Sequence, residues 1–298
     1  MKSYVKNNLI FVLISLGTIV VLYFVGKRCM VEKMSDKNDY NCNVESLDND
    51  FGAASENNYT NKELWVKGAS QIIGQLNGIL EKSSINNYTI KKIDEFKKYG
   101  DSGKELKSFL DAEKSDKSTA HNYHILYSYV FGRCGRKSTL RVLEVGLGTD
   151  NPDLVSSMGK GGTPGASVRA FRNYLPNAEV FGADIDRDIL FSEYRIKTAY
   201  VDQLNIKTFE KMYSDMGGKK FDVIIDDGLH SIGANLNTLL FGLDNINVDG
   251  WVIVEDIAKS KIDAWKVVDS VLKTNPVYET YIVDTNMWSW MYVVHKIK

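Results

Sequence analysis

The chain has 298 residues, 44% of them hydrophobic and 25% charged, with a formal net charge of −1 and a pI near 6.5. This composition supports a sizeable folded core, while near-neutral charge and the lack of a Lys/Arg-dense stripe interleaved with aromatics argue against nucleic acid as a partner. Cys29, Cys42 and Cys134 are too few to staple a fold and too scattered for a zinc-ligand pattern.

The first predicted element is "LIFVLISLGTIVVLYFVG", Leu9 to Gly26, 18 residues without a charge, between Lys2 and Lys6 on one side and Lys27 and Arg28 on the other. At about 1.5 Å per residue it is just long enough for roughly 30 Å of hydrocarbon. It ends in bulky residues, Gly26 and charge instead of a small-residue cleavage site, so the expectation is an uncleaved anchor over 1–28 and a single-pass membrane protein. Basic residues on both flanks leave its orientation open. Residues 29–60 are polar and Asn/Asp/Ser-rich without a period, which predicts a tether.

A helical extension is expected over 61–137. Leu64, Trp65, Ile72, Ile73, Leu76, Ile79 and Leu80 recur at spacings of three and four, an amphipathic helix. Ile90, Ile93 and Phe96 give a second, weaker helical pattern. Two N-Y-T sequons begin at Asn58 and Asn87.

From residue 138 to 298 strands alternate with helices. "LRVLEV", "AEVFGAD", "KTAYV", "FDVIID" and "GWVIVED" read as strands, and "GASVRAF" as part of an intervening helix. This order predicts an α/β fold, a doubly wound, mostly parallel sheet covered on both faces. "YETYIVD" and "WMYVVHK" lie only a few residues apart and predict an antiparallel pair closing the sheet. In such sheets ligands bind beyond the carboxyl ends of the strands.

At one of those ends lies "EVGLGTDN", whose Gly146 and Gly148 allow close approach of a ligand to the backbone. A dinucleotide fingerprint would place Gly or Ala three residues after Gly148, where Asn151 stands, and this argues against hydride transfer on NAD. A plain strand-to-helix turn is the other reading.

Seven stretches in register, "SDKSTAHNYHILY", "EVGLG", "PGASVRAF", "GADID", "RIKTAYVDQ", "IIDDGLH" and "IVEDI", span residues 115 to 257. In this the sequence resembles the class I S-adenosylmethionine-dependent methyltransferases, and within them the metal-dependent sugar O-methyltransferases of macrolide biosynthesis. The resemblance implies a Rossmann-like sheet of seven strands. It also implies a donor site in which Glu144, Gly146 and Gly148 line the turn and Asp184 takes the ribose hydroxyls. Asp202 and Gln203 would then lie near the adenine, and His121 and Tyr123 near the donor's amino-acid tail. The Gly-rich stretch between Asp150 and Gly165 makes the Glu144–Asp184 interval long and reads as a lid or a solvated loop.

"FDVIIDDGLH" ends a buried strand in Asp226, Asp227 and His230, and "VED" ends the next in Glu255 and Asp256. Neighbouring parallel strands lie about 4.8 Å apart, so these groups converge. Crowded carboxylates repel unless a cation holds them, and oxygen ligands favour a hard ion such as Mg²⁺. Asp227, Glu255 and Asp256 are the candidate ligands, Asp226 is partly structural, and His230 is the candidate base beside Asp227. Helix caps and solvated turns are the bland alternative for each residue. The expected function is Mg²⁺-dependent O-methylation of a sugar or glycan hydroxyl. A catechol-type O-methyltransferase and a non-catalytic, membrane-tethered binding module are the alternatives.

Overall fold

A computed structural model of the chain describes residues 72, 74–98 and 103–298. The expected anchor, the tether and most of the first amphipathic helix lie outside the described residues. Its described part, residues 74–80, is helical. The single-pass membrane localisation is corrected on this point: among the described residues no helix is long and apolar enough to cross a membrane. The span Leu9–Gly26 itself lies outside them.

The described residues form one compact unit. In chain order it contains β1 (Ile90–Lys92), α1 (Lys104–Ala112), α2 (His124–Cys134), β2 (Arg141–Val145), α3 (Ala166–Tyr174), β3 (Glu179–Asp184), β4 (Ser192–Glu193) and β5 (Ile196–Tyr200). It continues with α4 (Ile206–Asp215), β6 (Phe221–Asp226), α5 (Ile232–Asn245), β7 (Ile246–Ala258), α6 (Ile262–Leu272), β8 (Tyr278–Asp284) and β9 (Ser289–Lys296). Among the described residues the sheet has nine strands in the order β1-β8-β9-β7-β6-β2-β3-β5-β4.

The centre, β7-β6-β2-β3-β5, is parallel, and β9 runs antiparallel between β7 and β8. The expected closing pair is therefore present. The two strands beyond the expected seven are short edges. Ile90 lies in β1, parallel to β8, and not in a helix; the helical turn there is a 3₁₀ segment over Ile93–Lys98. β4 folds back on β5. An edge of two or three residues carries no alternation to read, and its partner alone stabilises it.

Alternation decides which residues meet which helices. Val142 of β2, Trp251 and Ile253 of β7, and Met291 and Val293 of β9 join the layer that holds α1, α2 and α3. Leu143, Val252, Val254, Tyr292 and Val294 face the other layer, with Phe209 of α4, Leu239 of α5 and Trp265 of α6. Each strand is apolar on both faces because both are covered. Local signals set the helix ends. Asn205 and Ser231 cap α4 and α5 by accepting from the Lys207 and Ala234 amides, and Gly135, with φ 85°, ends α2.

Candidate active site

The carboxyl ends of β2, β6 and β7 lie level. Val145 pairs with Asp226 and Asp226 with Val254, so Gly146, Asp227 and Glu255 follow at one height. The Gly146 amide donates to the Ala183 carbonyl and the Asp227 amide to Val145, both at 2.8 Å. Gly146 has φ 99°, and a Cβ there would collide with the Asp227 carbonyl. Only glycine lets the turn after β2 pass this close to the turn after β6.

β7 departs from regular pairing at the functional position. Its register against β9 shifts between Val254 and Ile257, and Asp256 adopts φ 53°. A bulge of this kind re-aims side chains, and here it separates two neighbouring acids. Asp256 turns toward Asp227 and His230, and ligand atoms of these three half-buried residues lie within 4.8 Å of one another. His230 also has a positive φ, 54°, and its Nε2 is 3.7 Å from Asp256 Oδ2. Glu255, expected among the metal ligands, turns inward instead.

What Glu255 meets is Lys117, a residue singled out only as part of a motif. Lys117 sits on a 3₁₀ turn (Asp116–Ser118) ahead of α2, and its side chain is 2% exposed. Its Nζ is 2.5 Å from Asp227 Oδ2, 2.6 Å from Glu255 Oε2 and 3.2 Å from Glu144 Oε1. Tyr127 of α2 donates its hydroxyl to the other Glu255 oxygen. The chain thus brings its own cation to three strand-tip carboxylates, which corrects the expectation that only a metal relieves their crowding.

The electrostatics follow from burial and this ammonium. Burial alone would lower the Lys117 pKa, but Asp227, Glu255 and Glu144 outweigh it and raise it well above the usual lysine value. Burial pushes Glu144 up to about 7 although Lys117 pulls the other way. Glu255 is raised well above the carboxylate range by burial, with Asp227, Asp256 and Glu144 adding to the effect against Lys117. Burial also acts to raise Asp227, yet Lys117 and His230 prevail and lower it. Burial and the neighbouring ammonium thus push the two carboxyls in opposite directions, Asp227 down and Glu255 up.

The remaining candidates divide between two regions. Asp184, at the tip of β3, accepts from the Leu147 amide at 2.7 Å and the Asp186 amide at 2.8 Å, beneath the Gly146–Gly148 turn. Ser167 donates to Glu144. Gly148 has φ 76° and lies under the Met158 thioether, where a Cβ would clash. Ser156 donates to the Leu229 carbonyl at 3.2 Å. The Gly-rich insert consequently leans across the turn.

Asp202 caps its own loop through the Leu204 amide. Gln203 is committed to the turn after β6, donating to Asp226 at 2.7 Å and Thr238 at 2.8 Å and accepting from the Leu229 amide at 2.6 Å. Asp226 also takes Asn235 and is fully buried, in keeping with a structural role. His121 and Tyr123 stand on the Asp256 side. Tyr123 donates to Asp256 Oδ1 at 2.5 Å, and His121 stacks on Tyr123 with Nδ1 3.7 Å from the same oxygen.

A divalent cation fits this arrangement. Lys117 and Tyr123 each tie down one oxygen of Asp227 and Asp256, and the two carboxylates still converge with His230 on one point. His230 Nδ1 is buried without a protein partner. Two carboxylates and room for further oxygen ligands are what Mg²⁺ requires.

No family model matches the chain. Over 138 residues, 46% of the chain, it is 29% identical to the 8-demethyl-8-(2-methoxy-alpha-L-rhamnosyl)-tetracenomycin-C 3'-O-methyltransferase of Streptomyces olivaceus, covering 32% of that protein. Over 124 residues, 41% of the chain, it is 29% identical to the mycinamicin VI 2''-O-methyltransferase of Micromonospora griseorubida, covering 28% of it. The matched stretch is thus about a third of the length of these relatives. In fold it resembles the MycE methyltransferase of the mycinamycin pathway, solved in complex with Mg and SAH, with TM-score 0.51, 20% identity, 64% of this chain covered and 54% of that one. The sequence likeness is to sugar O-methyltransferases, and the structural likeness is to a methyltransferase fold.

Proposed function

We propose that the chain is an S-adenosylmethionine-dependent O-methyltransferase, assisted by Mg²⁺, that methylates a hydroxyl of a sugar on a small-molecule or glycan acceptor. One observation carries this reading: the turn after β2 and the Asp227–His230–Asp256 group stand at the same height on neighbouring strand tips, with no Cβ between them. A nucleoside-bearing donor and a cation-bound acceptor would meet there. The sugar O-methyltransferase relatives support the acceptor class.

On this reading the donor lies over Gly146 and Gly148. Asp184 accepts its ribose hydroxyls, because each carboxylate oxygen retains a lone pair beyond the backbone amide it holds. Glu144 lies beneath the turn beside Lys117, and Asp202 would lie near the adenine. The donor would supply a methyl group on a positively charged sulfur, and Asp227 and Asp256 would hold a Mg²⁺ whose charge, when bound, would lower the pKa of the acceptor hydroxyl.

The chain's own residues do the rest. Lys117 and Tyr123 hold the two carboxylates in a fixed aim. His230 Nε2 faces the cluster and receives the hydroxyl proton, since a hard cation prefers the oxygens and leaves the imidazole free. Met158 of the insert packs against the Gly148 turn.

The test is methyl transfer from labelled S-adenosylmethionine to a rhamnose-bearing acceptor, with Mg²⁺ and with chelator. Transfer that vanishes in chelator supports the reading. Undiminished transfer in chelator removes the cation, and failure to bind S-adenosylmethionine removes the activity.

A further inference from the structure

Trp251 and Trp265 are about 1% exposed, as large aromatic residues of a folded unit usually are, but Trp288 is 65% exposed. It is not on a frayed end. The turn between β8 and β9 is pinned by Thr285, whose buried hydroxyl donates to the Ser289 carbonyl and accepts from the Met287 amide at 3.2 Å. Asn122 closes it from α2's side by donating to the Thr285 carbonyl at 2.7 Å. Trp288 lies in this turn immediately before β9, with Ser289 after it fully buried, and its own side chain is left open to solvent.

The indole is held beside the candidate site. Its ring centroid lies 4.7 Å from the imidazole of His121, which stacks at 4.4 Å on Tyr123. His121 Nδ1 is 3.7 Å from Asp256 Oδ1, and Tyr123 donates to that oxygen. One imidazole ring, that of His121, separates Trp288 from the carboxylate.

We propose that Trp288 is the platform for a pyranose acceptor, packing against its C–H face while a hydroxyl on the ring's edge reaches Asp256 and its cation. The proposal rests on the methyltransferase reading above and adds the residue that recognises the sugar. A pyranose has one apolar patch and hydroxyls elsewhere, so it suits a single aromatic wall with water on the far side. A catechol, apolar on both faces, would instead ask for a closed slot. Indole offers the most electron-rich face among the side chains, which favours the polarised C–H groups of a sugar.

The experiment uses the full chain loaded with Mg²⁺ and S-adenosylhomocysteine, titrated with methyl α-L-rhamnopyranoside and separately with catechol by saturation-transfer NMR. Trp288→Ala should weaken the rhamnoside at least tenfold, Trp288→Phe should restore it to within about threefold, and the affinities for Mg²⁺ and S-adenosylhomocysteine should stay within twofold of wild type. Trp288→Ala binding the rhamnoside like wild type overturns the platform, as does a wild type that holds Mg²⁺ and S-adenosylhomocysteine but no rhamnoside. Selective loss of catechol overturns the sugar assignment. A wild type that binds neither Mg²⁺ nor S-adenosylhomocysteine overturns the methyltransferase reading first, and the platform with it.

Discussion

Replacing Lys117 with methionine tests the electrostatic core of the site. The substitution keeps an unbranched side chain, one atom shorter, and removes an ammonium that lies 2.5, 2.6 and 3.2 Å from three carboxylates. At an effective dielectric of about 20 each contact carries roughly 5–7 kcal/mol of attraction. Desolvation and repulsion among the carboxylates cancel most of that sum, and removing one partner of a buried ion pair costs about 3–5 kcal/mol. For a unit of this size that lowers Tm by about 6–20 °C, at about 2–4 °C per kcal/mol.

The loss should depend on pH in a stated direction. Without Lys117 the carboxylates remain folded by holding protons that the unfolded chain has already released above its ordinary glutamate value of 4.5. The folded state then binds more protons, so stability falls as pH rises, by roughly 1.4 kcal/mol per unit for each such group. Urea unfolding of Lys117→Met at pH 6 and pH 8 should show the larger deficit at pH 8. A variant within about 1 kcal/mol of wild type at both values would refute the claim that this ammonium neutralises the strand tips.

Three further outcomes are expected. Asp256→Asn should abolish Mn²⁺ binding, read by electron paramagnetic resonance, with S-adenosylhomocysteine affinity retained; full Mn²⁺ binding would remove Asp256 from the cation site. His230→Asn should lower kcat by about 10²–10⁴ and leave Mg²⁺ affinity near wild type, whereas a parallel loss of Mg²⁺ binding would make His230 a ligand and not the base. Gly146→Ala should cost at least about 1–3 kcal/mol in thermal unfolding, because it combines a positive φ with a clash against the Asp227 carbonyl; a neutral variant would show that the two turns are not in contact.

Much of this protein is legible in its residues alone. Apolar runs bounded by Gly146, Asp184 and Asp227 identify parallel strands and the end at which polar groups collect, since burial on both faces disfavours carboxylates along most of each strand. Strand spacing brings the tips of β6 and β7 together, and Asp227 and Asp256 do lie close.

Folding decided what lies between those tips. Lys117 meets Asp227 and Glu255 across 110 and 138 positions of chain, a contact that exists only because α2 and the turn before it dock on the sheet. No periodicity announces it. The bulge in β7 likewise separated Glu255 from Asp256, sending one to the buried lysine and the other to His230, although in sequence they are adjacent and chemically alike. Gln203 braces the turn after β6, a set of contacts that the sequence does not announce either. Residue type and strand position fix which charges reach the end of the sheet. Their pairing depends on which distant element fills the low-dielectric space beside them, and only the packed structure supplies that.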